Sequence, residues 1–504
     1  MEGTTDSAYY NDRCTHIQSI KDQGKNPYPY TYKTTMSFAN YVEEFSAIEP
    51  GVHIEDRFEH LAGRCREIRV SGKLTFITAS SGTEFVQFMI KQNLLDNPDD
   101  YKTIVKEIHR GDIIGGYGYV GKSIKGELSL FVNKIEIIAP CLREIPKTHY
   151  GFKDDDERAK NRALDLIVNP DSLKRLVTRS KIIQFIRSFL IEKNFLEVST
   201  PVLCSSYGGA NAKPFKTFFN DLKSDFFLRI SPELFLKELI VGGLPAIFEI
   251  GPQFRNESID NTHNPEFFSL ELYKAFSDYM DMLNLGEEMI SRVVKFITGS
   301  YIVTSTRDGV TTEIDFTPPF KRVDMISTLE EKTGTVFPTN YFTEEANKFL
   351  DDLCIKHNVE CGHPRTASRL IDKLVGHFIE PECTGPTFIM NHPLIMSPLA
   401  KQHREKPHLT ERFELFVNGF ELCNAYTEQN DPLLQLEAFQ EQMKSKHLGD
   451  VEAQVINKHF IKVLELGMPN TGGFGLGLER LCMLLTNTWK IANVIYFPTT
   501  LPEQ

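Results

Sequence analysis

Between residues 53 and 140 the apolar positions recur at every second residue. HLAGRCREIRV, KLTFITA, EFVQFMIK, GDIIGGYGYVG and ELSLFVNKIEIIA are five such runs, separated by Gly, Ser and polar turns, and they predict five strands. A polar segment between the third and fourth runs, NPDDYKTIVKEIH, fits one helix. Five strands with a helix in that place make the order of an oligonucleotide-binding (OB) barrel. A small all-β domain of another purpose fits the same pattern.

Beyond residue 172 the period changes. Ile182, Ile183, Ile186, Phe189 and Leu190 fall on one face at helical spacing, with Asn194 near the end, which predicts a long helix. The short run LEVSTPVL follows, and its Pro201 confines it to a sheet edge or an interface. Strands and helices then alternate to the C-terminus with no second linker. The reading is an α+β chain with an arm at 1–50, a barrel at 51–142, a charged Pro-containing connection at 143–171 and one large domain at 172–504. Within the arm, GKNPYPYTYK reads as extended and residues 36–49 as one short helix.

Composition narrows the class. The chain has 504 residues, 41% apolar and 25% charged, as in a folded soluble protein of several domains. No run nears the ~18–20 apolar residues of a membrane helix, and the acidic N-terminus resembles no leader peptide. Nine Cys without a CxxC speak against a disulfide framework or zinc ribbon, so a cytoplasmic compartment is expected. The net charge of −12 disfavours a general nucleic-acid binder. Residues 51–140, however, balance 12 basic against 12 acidic side chains, leaving room for local capture.

Three stretches carry chemistry. In FEIGPQFRNESIDNTHNPEFFSLELYKAF (248–276) two alternating runs flank a polar loop. Phe267, Ser269, Glu271 and Tyr273 share one face of the return strand. Arg255 and Glu257 share a face of the outgoing one, and His263 sits in the loop. A guanidinium, an imidazole, an aromatic ring and carboxylates on one hairpin suit a nucleoside triphosphate; a solvated sheet face is the plain alternative. In RFELFVNGFELCNAYTE (412–428), Asn418-Gly419 is a strong hairpin signal. It pairs Phe416 with Glu421 and puts Glu414 and Glu421 on one face. Facing carboxylates repel without a cation between them, and oxygen ligands beside phosphates suit Mg²⁺; an exposed acidic pair is the other reading. Asn424, Tyr426 and Glu428 share a face. In NTGGFGLGLERLCMLLT (470–486), spaced glycines precede a helical run that puts Arg480 in its first turn.

Together these resemble motifs 1, 2 and 3 of the class II aminoacyl-tRNA synthetases. With an OB barrel the resemblance narrows to the aspartate, asparagine and lysine subgroup. SYGGANAKPF, RISPELFLKEL, FRNE, THNPEF, IMSPLAK and LTERFELFVNGFELCNAYTEQNDP look like the lysyl-tRNA synthetases of eukaryotic and bacterial type. The resemblance implies ATP-dependent attachment of L-lysine to tRNA(Lys) through a lysyl-adenylate, with Mg²⁺. It assigns the α-phosphate and lysine carboxylate to Arg255, the adenine amino group to Glu257, the γ-phosphate to His263, stacking on adenine to Phe267 and the triphosphate's far side to Arg480. Asn256, Asn264, Leu422 and Gly477 complete the ATP site, and Glu414 and Glu421 are the metal ligands. Gly209 and Glu233 take the α-ammonium. Glu271, Tyr273, Asn424, Tyr426 and Glu428 form the side-chain pocket, with no basic residue at the positions that select aspartate or asparagine. In the barrel, Phe76, Gln87, Glu127 and Arg69 match readers of a U-rich anticodon, Phe76 also fitting a barrel-core position.

Two structural expectations follow. The apolar stripe of the 173–194 helix and the edge at Pro201 call for a homodimer. The step from Glu421 to Asn424 is odd, so a regular strand would turn the metal carboxylates and the lysine pocket to opposite sides. A β-bulge between Glu421 and Asn424, at Leu422-Cys423, or a longer turn at Asn418-Gly419, would reconcile them. Cys354, His357, Cys361 and His363 match no usual zinc spacing.

Overall fold

The computed structural model describes residues 7–146, 152–307, 309–447, 454 and 456–500; residues 147–151 of the charged connection lie outside the described residues. The chain forms two compact units, Met1–Lys174 and Arg175–Gln504.

The first unit begins with helices α1 (Ala8–Asp22) and α2 (Phe38–Phe45). Strands β1 (His53–Ser71), β2 (Leu74–Ser81), β3 (Glu84–Lys91), β4 (Ile113–Lys122) and β5 (Leu128–Ala139) then close a barrel in the order β1-β2-β3-β5-β4. Helix α3 (Tyr101–Glu107) lies between β3 and β4 in the chain, where the period breaks. Ile77, Ala79, Phe88, Ile90, Val120, Leu130 and Val132 fill the barrel. Phe38, Tyr41 and Phe45 of α2 belong to the same core, so the first fifty residues are more than an appended arm. Helix α1 is tied down by a buried ion pair, Arg13 to Asp112 at 2.6 Å, and by Arg13 donating to the Cys141 carbonyl. Removing one partner of such a pair strands the other charge, at a cost of about 3–5 kcal/mol. In the connection, α4 (Asp155–Lys160) and α5 (Arg162–Val168) are joined by Asp165, which accepts from Arg158, Arg162 and Asn169.

Helix α6 (Pro170–Glu192) leads into the second unit and buries Ile182, Ile186, Phe189 and Leu190, the stripe read from the sequence, in the chain's own core, so the stripe needs no second copy to cover it and that reason for a homodimer falls. Strands β6 (Leu196–Glu197) and β7 (Leu203–Cys204) flank Pro201, which itself lies outside both. Strands β8 (Lys216–Phe219) and β9 (Ser224–Leu228) join β7 in a small sheet. Helix α7 (Glu233–Val241), the hairpin β10 (Ala246–Phe254) and β11 (Glu266–Ala275), and α8 (Tyr279–Thr298) follow. A two-stranded excursion, β12 (Ile302–Arg307) and β13 (Val310–Asp315), precedes β14 (Lys321–Asp324). Helices α9 (Met325–Thr333), α10 (Glu344–Lys356) and α11 (Ala367–Phe378) build a second apolar cluster. The chain ends with β15 (Thr387–Met390), the hairpin β16 (Arg412–Val417) and β17 (Phe420–Thr427), α12 (Pro432–His447), α13 (Lys458–Leu464), β18 (Thr471–Gly477) and α14 (Leu478–Leu485).

Eight strands form one sheet, ordered β14-β15-β16-β17-β18-β11-β10-β6, with β6 at an edge. It is antiparallel except at its two ends, where β14 pairs with β15 and β6 with β10 in parallel. Leu270, Leu272, Ala425, Phe474 and Leu476 turn one face onto α6, α8 and α14. The opposite face carries the polar residues.

Candidate active site

The polar face of β11 and β18 follows from their alternation. In β11, Leu270 and Leu272 are fully buried while Ser269, Glu271 and Tyr273 line a cavity of about 380 Å³ on the other side. In β18 the facing residues are Gly473, Gly475 and Gly477; the first makes room for the side chains of Glu428 and Tyr273, and the other two add no side chain to the cavity wall. The glycine-rich stretch is thus a strand, and Arg480 follows in the first turn of α14.

The bulge is present. Phe416 pairs with Glu421 and Leu415 with Cys423, leaving Leu422 as the extra residue. The two-residue turn is tight, with Asn418 and Gly419 both at positive φ. Glu421, Asn424, Tyr426 and Glu428 consequently line one cavity.

At one end of that cavity lie the phosphate-binding candidates. Arg255 and Glu257 are in the loop after β10 ends at Phe254, not in the outgoing strand. The Arg255 guanidinium lies 5.1 Å from the Phe267 ring centre, and its buried Nε has no partner. Burial lowers its pKa, against the pull of Glu257, Glu271 and Glu421; a guanidinium starting so high remains cationic. His263 is oriented by Asp260, 2.9 Å from Nδ1, while Nε2 faces Arg480 at 3.5 Å. Slight burial of Asp260 is outweighed by Thr262 and His263, which bring it down to about 2. Arg480 donates to the Glu421 carbonyl at 2.9 Å and to its carboxylate at 3.3 Å. A guanidinium and an imidazole nitrogen that face each other across one opening leave room for an anion. Asn264, Leu422 and Gly477 line this cavity; Asn256 does not, being exposed, and its N–H donates to the Lys213 carbonyl.

Glu414 lines a neighbouring cavity of about 830 Å³ together with Glu421, His263 and Arg480. It already holds Arg412 at 2.5 Å and lies 3.2 Å from His392 Nε2. Burial opposes ionisation of Glu414, but His392 and Arg412 prevail and bring it to about 2. Burial and then Glu414 raise Glu421. One committed and one frustrated carboxylate fit a cation that takes its other ligands from phosphates and water. Among the described residues, no cluster of three or more acidic, His or Cys side chains is arranged to hold a metal by itself.

The other end is acidic. Glu233, Glu271 and Glu428 line it with Tyr273, Tyr426 and Gly209. Gly209 sits at φ +85°, and a Cβ there would press on Glu233 and Ser231, so the position requires glycine. Tyr426 donates to Glu233 at 2.8 Å, and Tyr273 and Ser231 donate to Glu271. Burial, then Glu233, pushes Glu271 up to about 8. Burial also raises Glu428, Glu233 adding to it and Lys237 opposing. Burial and neighbouring carboxylates hold both phenols neutral. An end so rich in carboxyls is built for ammonium groups.

Four residues that sequence reasoning missed support these. Ser231 orients Glu271. Arg412 bridges Asn424 and Glu414, and His392 sits against Glu414. Lys237, wholly buried, pairs with Glu233 and Glu428 behind the acidic end. Its signal was present: the neighbours of Lys237 in α7 are mostly apolar, which favours burial at that position.

The candidate residues of the barrel share one face. Arg69, Phe76, Gln87 and Ser129 fall on the outer face of β1, β2, β3 and β5 by register. Phe76 therefore points away from the barrel core and rests half-buried against Met89, Tyr119 and Phe131. Gln87 donates to Glu127 at 2.5 Å and accepts from Ser129, and Arg69 reaches Glu127 at 3.9 Å.

Residues 154–501 match the family model for class II tRNA synthetases (D, K and N), and residues 60–138 that for an OB-fold nucleic acid binding domain. The chain belongs to the class II tRNA synthetases of the D, K and N group. It is 42% identical to a lysine–tRNA ligase of Cladosporium cladosporioides, over 97% of this chain and 84% of the relative. A probable cytoplasmic lysine–tRNA ligase of Vairimorpha ceranae is 40% identical over 99% and 97%. A lysine–tRNA ligase of Thermotoga maritima is 40% identical over 98% and 96%. Arg255 stands between the two ends of the synthetase cavity in charge as well, since it acts on both Glu271 and Glu421.

Proposed function

We propose that this synthetase joins L-lysine to tRNA(Lys) at the expense of ATP, through a lysyl-adenylate. The observation that carries the amino-acid choice is the trio Glu233, Glu271 and Glu428 at the closed end of the cavity. An aspartate or asparagine side chain there would meet carboxylates; a lysine brings two ammonium groups. In this reading Gly209 and Glu233 take the α-ammonium. Glu428 and Tyr273 take the ε-ammonium, with Glu271, Asn424 and Tyr426 walling the pocket.

The chemistry needs no nucleophile from the protein. The lysine carboxylate attacks the α-phosphorus in line and pyrophosphate leaves; a terminal tRNA hydroxyl then attacks the adenylate carbonyl and AMP leaves. Arg255 bridges the attacking carboxylate and the α-phosphate, so it aligns the reactants and offsets developing charge. Arg480 and His263 take the outer phosphates, Phe267 stacks on adenine and Glu257 accepts from its amino group. Glu421 and Glu414 would hold Mg²⁺, which supplies charge neutralisation on the phosphates. In the barrel, Phe76 stacks on an anticodon base, while Gln87, Glu127 and Arg69 meet base edges of a U-rich triplet.

A homodimer in the cytoplasm completes the proposal. It is supported by exposed apolar side chains around the motif 1 region, Ile191, Leu196, Val202 and Leu203. A monomer in sedimentation at micromolar concentration would remove the dimer. The substrate is tested by amino-acid-dependent exchange of pyrophosphate into ATP. Stimulation by lysine alone is expected, and stimulation by aspartate or asparagine would overturn the assignment.

A further inference from the structure

Behind the acidic end lies a cation that the chemistry above does not use. Lys237 has no exposed surface and does not line the cavity. It stands one helical turn after Glu233 in α7. Its Nζ is 2.5 Å from a Glu233 oxygen and is ion-paired with Glu428, while the rings of Tyr426 and Phe460 cover it at 5.6 and 5.7 Å. The Glu428 oxygens are buried and, apart from that ion pair, meet no donor. One ammonium thus links the two carboxylates assigned to opposite ends of the substrate.

Charge balance says what it is for. With lysine bound, three carboxylates face two substrate ammonium groups, and the substrate carboxylate is matched by Arg255. The count closes only with a third cation. Without one, a carboxylate in a water-poor site takes up a proton in place of remaining ionised, and a substrate ammonium then meets a neutral acid.

We propose that Lys237 is a positioning residue for the amino acid, an internal counter-ion that lets Glu233, Glu271 and Glu428 all be anionic around the two ammonium groups of bound lysine. This role rests on lysine being the substrate. The wild-type protein checks that premise: if lysine does not stimulate pyrophosphate exchange, the substrate assignment falls, and the role of Lys237 with it.

Given a lysine-dependent wild type, the test is Lys237→Met, close in volume, beside Lys237→Gln, which removes the charge and keeps an N–H donor on a side chain one atom shorter. In pyrophosphate exchange the KM for lysine is expected to rise about tenfold or more in both variants, as when one protonation step must be reversed to bind. The KM for ATP should stay within about twofold. A normal lysine KM in Lys237→Gln would show that hydrogen bonding suffices and overturn the proposal. So would parallel changes in both KM values. Loss of folding in both variants, read by thermal melting, would make Lys237 a structural cation and equally overturn it.

Discussion

A single methyl group at Gly473 tests the architecture of the acidic end. Gly473 lies in β18 with φ outside the left-handed region, so alanine suits its backbone. The obstacle is space. A Cβ would stand 1.9 Å from Glu428 Oε1 and 2.8 Å from a ring carbon of Tyr273. Both side chains are buried, with 1% and 4% of their surface exposed, so neither can swing into solvent. Glu428 must retreat by on the order of 1 Å to restore van der Waals contact. That retreat spoils a charge-assisted bond to the substrate ammonium, worth about 1.5–3 kcal/mol, or about 10- to 150-fold. Gly473→Ala should therefore raise the lysine KM by that factor in pyrophosphate exchange and leave the ATP KM nearly unchanged. Gly472→Ala is the control from the opposite face. Its Cβ would meet Met282 and the Asp278 carbonyl of α8, at 2.8 and 3.0 Å. It should cost about 1–3 kcal/mol of stability by overpacking with no selective effect on lysine. A lysine KM within twofold of wild type in a folded Gly473→Ala protein would refute the placement of Glu428 at the substrate.

Three further changes probe other parts. Arg255→Lys loses the planar fork that bridges carboxylate and phosphate and should lower the rate of exchange by ~10²-fold or more, with pre-steady-state adenylate formation as the check. Phe76→Ala should weaken tRNA charging by about 1–3 kcal/mol and leave pyrophosphate exchange untouched; equal losses in both would make Phe76 structural. Glu271→Gln concerns pH. Folding raises this carboxyl from 4.5 to about 8, so the folded state binds more protons between those values and the wild type loses stability as pH rises through them. The variant should match the wild type near pH 4.5 and exceed it increasingly up to about pH 8, as measured by thermal melting of the ligand-free protein. A gap that shrinks with pH would contradict the burial of Glu271.

Much of this was legible in the sequence because period two survives wherever one side of a strand is buried. All five barrel strands and the 246–275 hairpin follow from it. The same alternation misled at the hairpin tip, where it runs past the end of β10 and so suggested that Arg255 and Glu257 sit on a strand. Helix α1 was missed because it carries no apolar stripe; it docks mainly through Arg13 and Ile17. Glu233 and Lys237 are spaced like a surface helix pair, and only the apolar residues around them reveal burial. Arg412 and Glu414 are neighbours at period two on β16, but His392 comes to Glu414 from a different stretch of chain and Asn424 comes to Arg412 from β17, meetings that local pattern does not announce. Phe76 was ambiguous because a ring at that position suits either face of a strand; the register of β2 against β1 and β3 decides it.

Leu422 shows most directly how this fold serves two chemistries at once. In the proposed reading the β16–β17 hairpin offers Glu421 to the phosphates, and then Asn424, Tyr426 and Glu428 to the acidic end of the same cavity. Those groups are separated by an odd step, which an unbroken strand would send to opposite sides of the sheet. Lengthening the turn would resolve the parity, but the turn is a tight two-residue one, with Val417 paired to Phe420. The extra residue is instead placed at Leu422, and both Leu422 and Cys423 are buried, a break in alternation that one added residue produces. Past the bulge, Glu414 faces Asn424 and Arg412 faces Tyr426. That new register is what lets Arg412 hold Asn424 and Glu414 together. The bulge thus does more than re-aim side chains. It makes Glu414 and Asn424 cross-strand neighbours that share the Arg412 guanidinium.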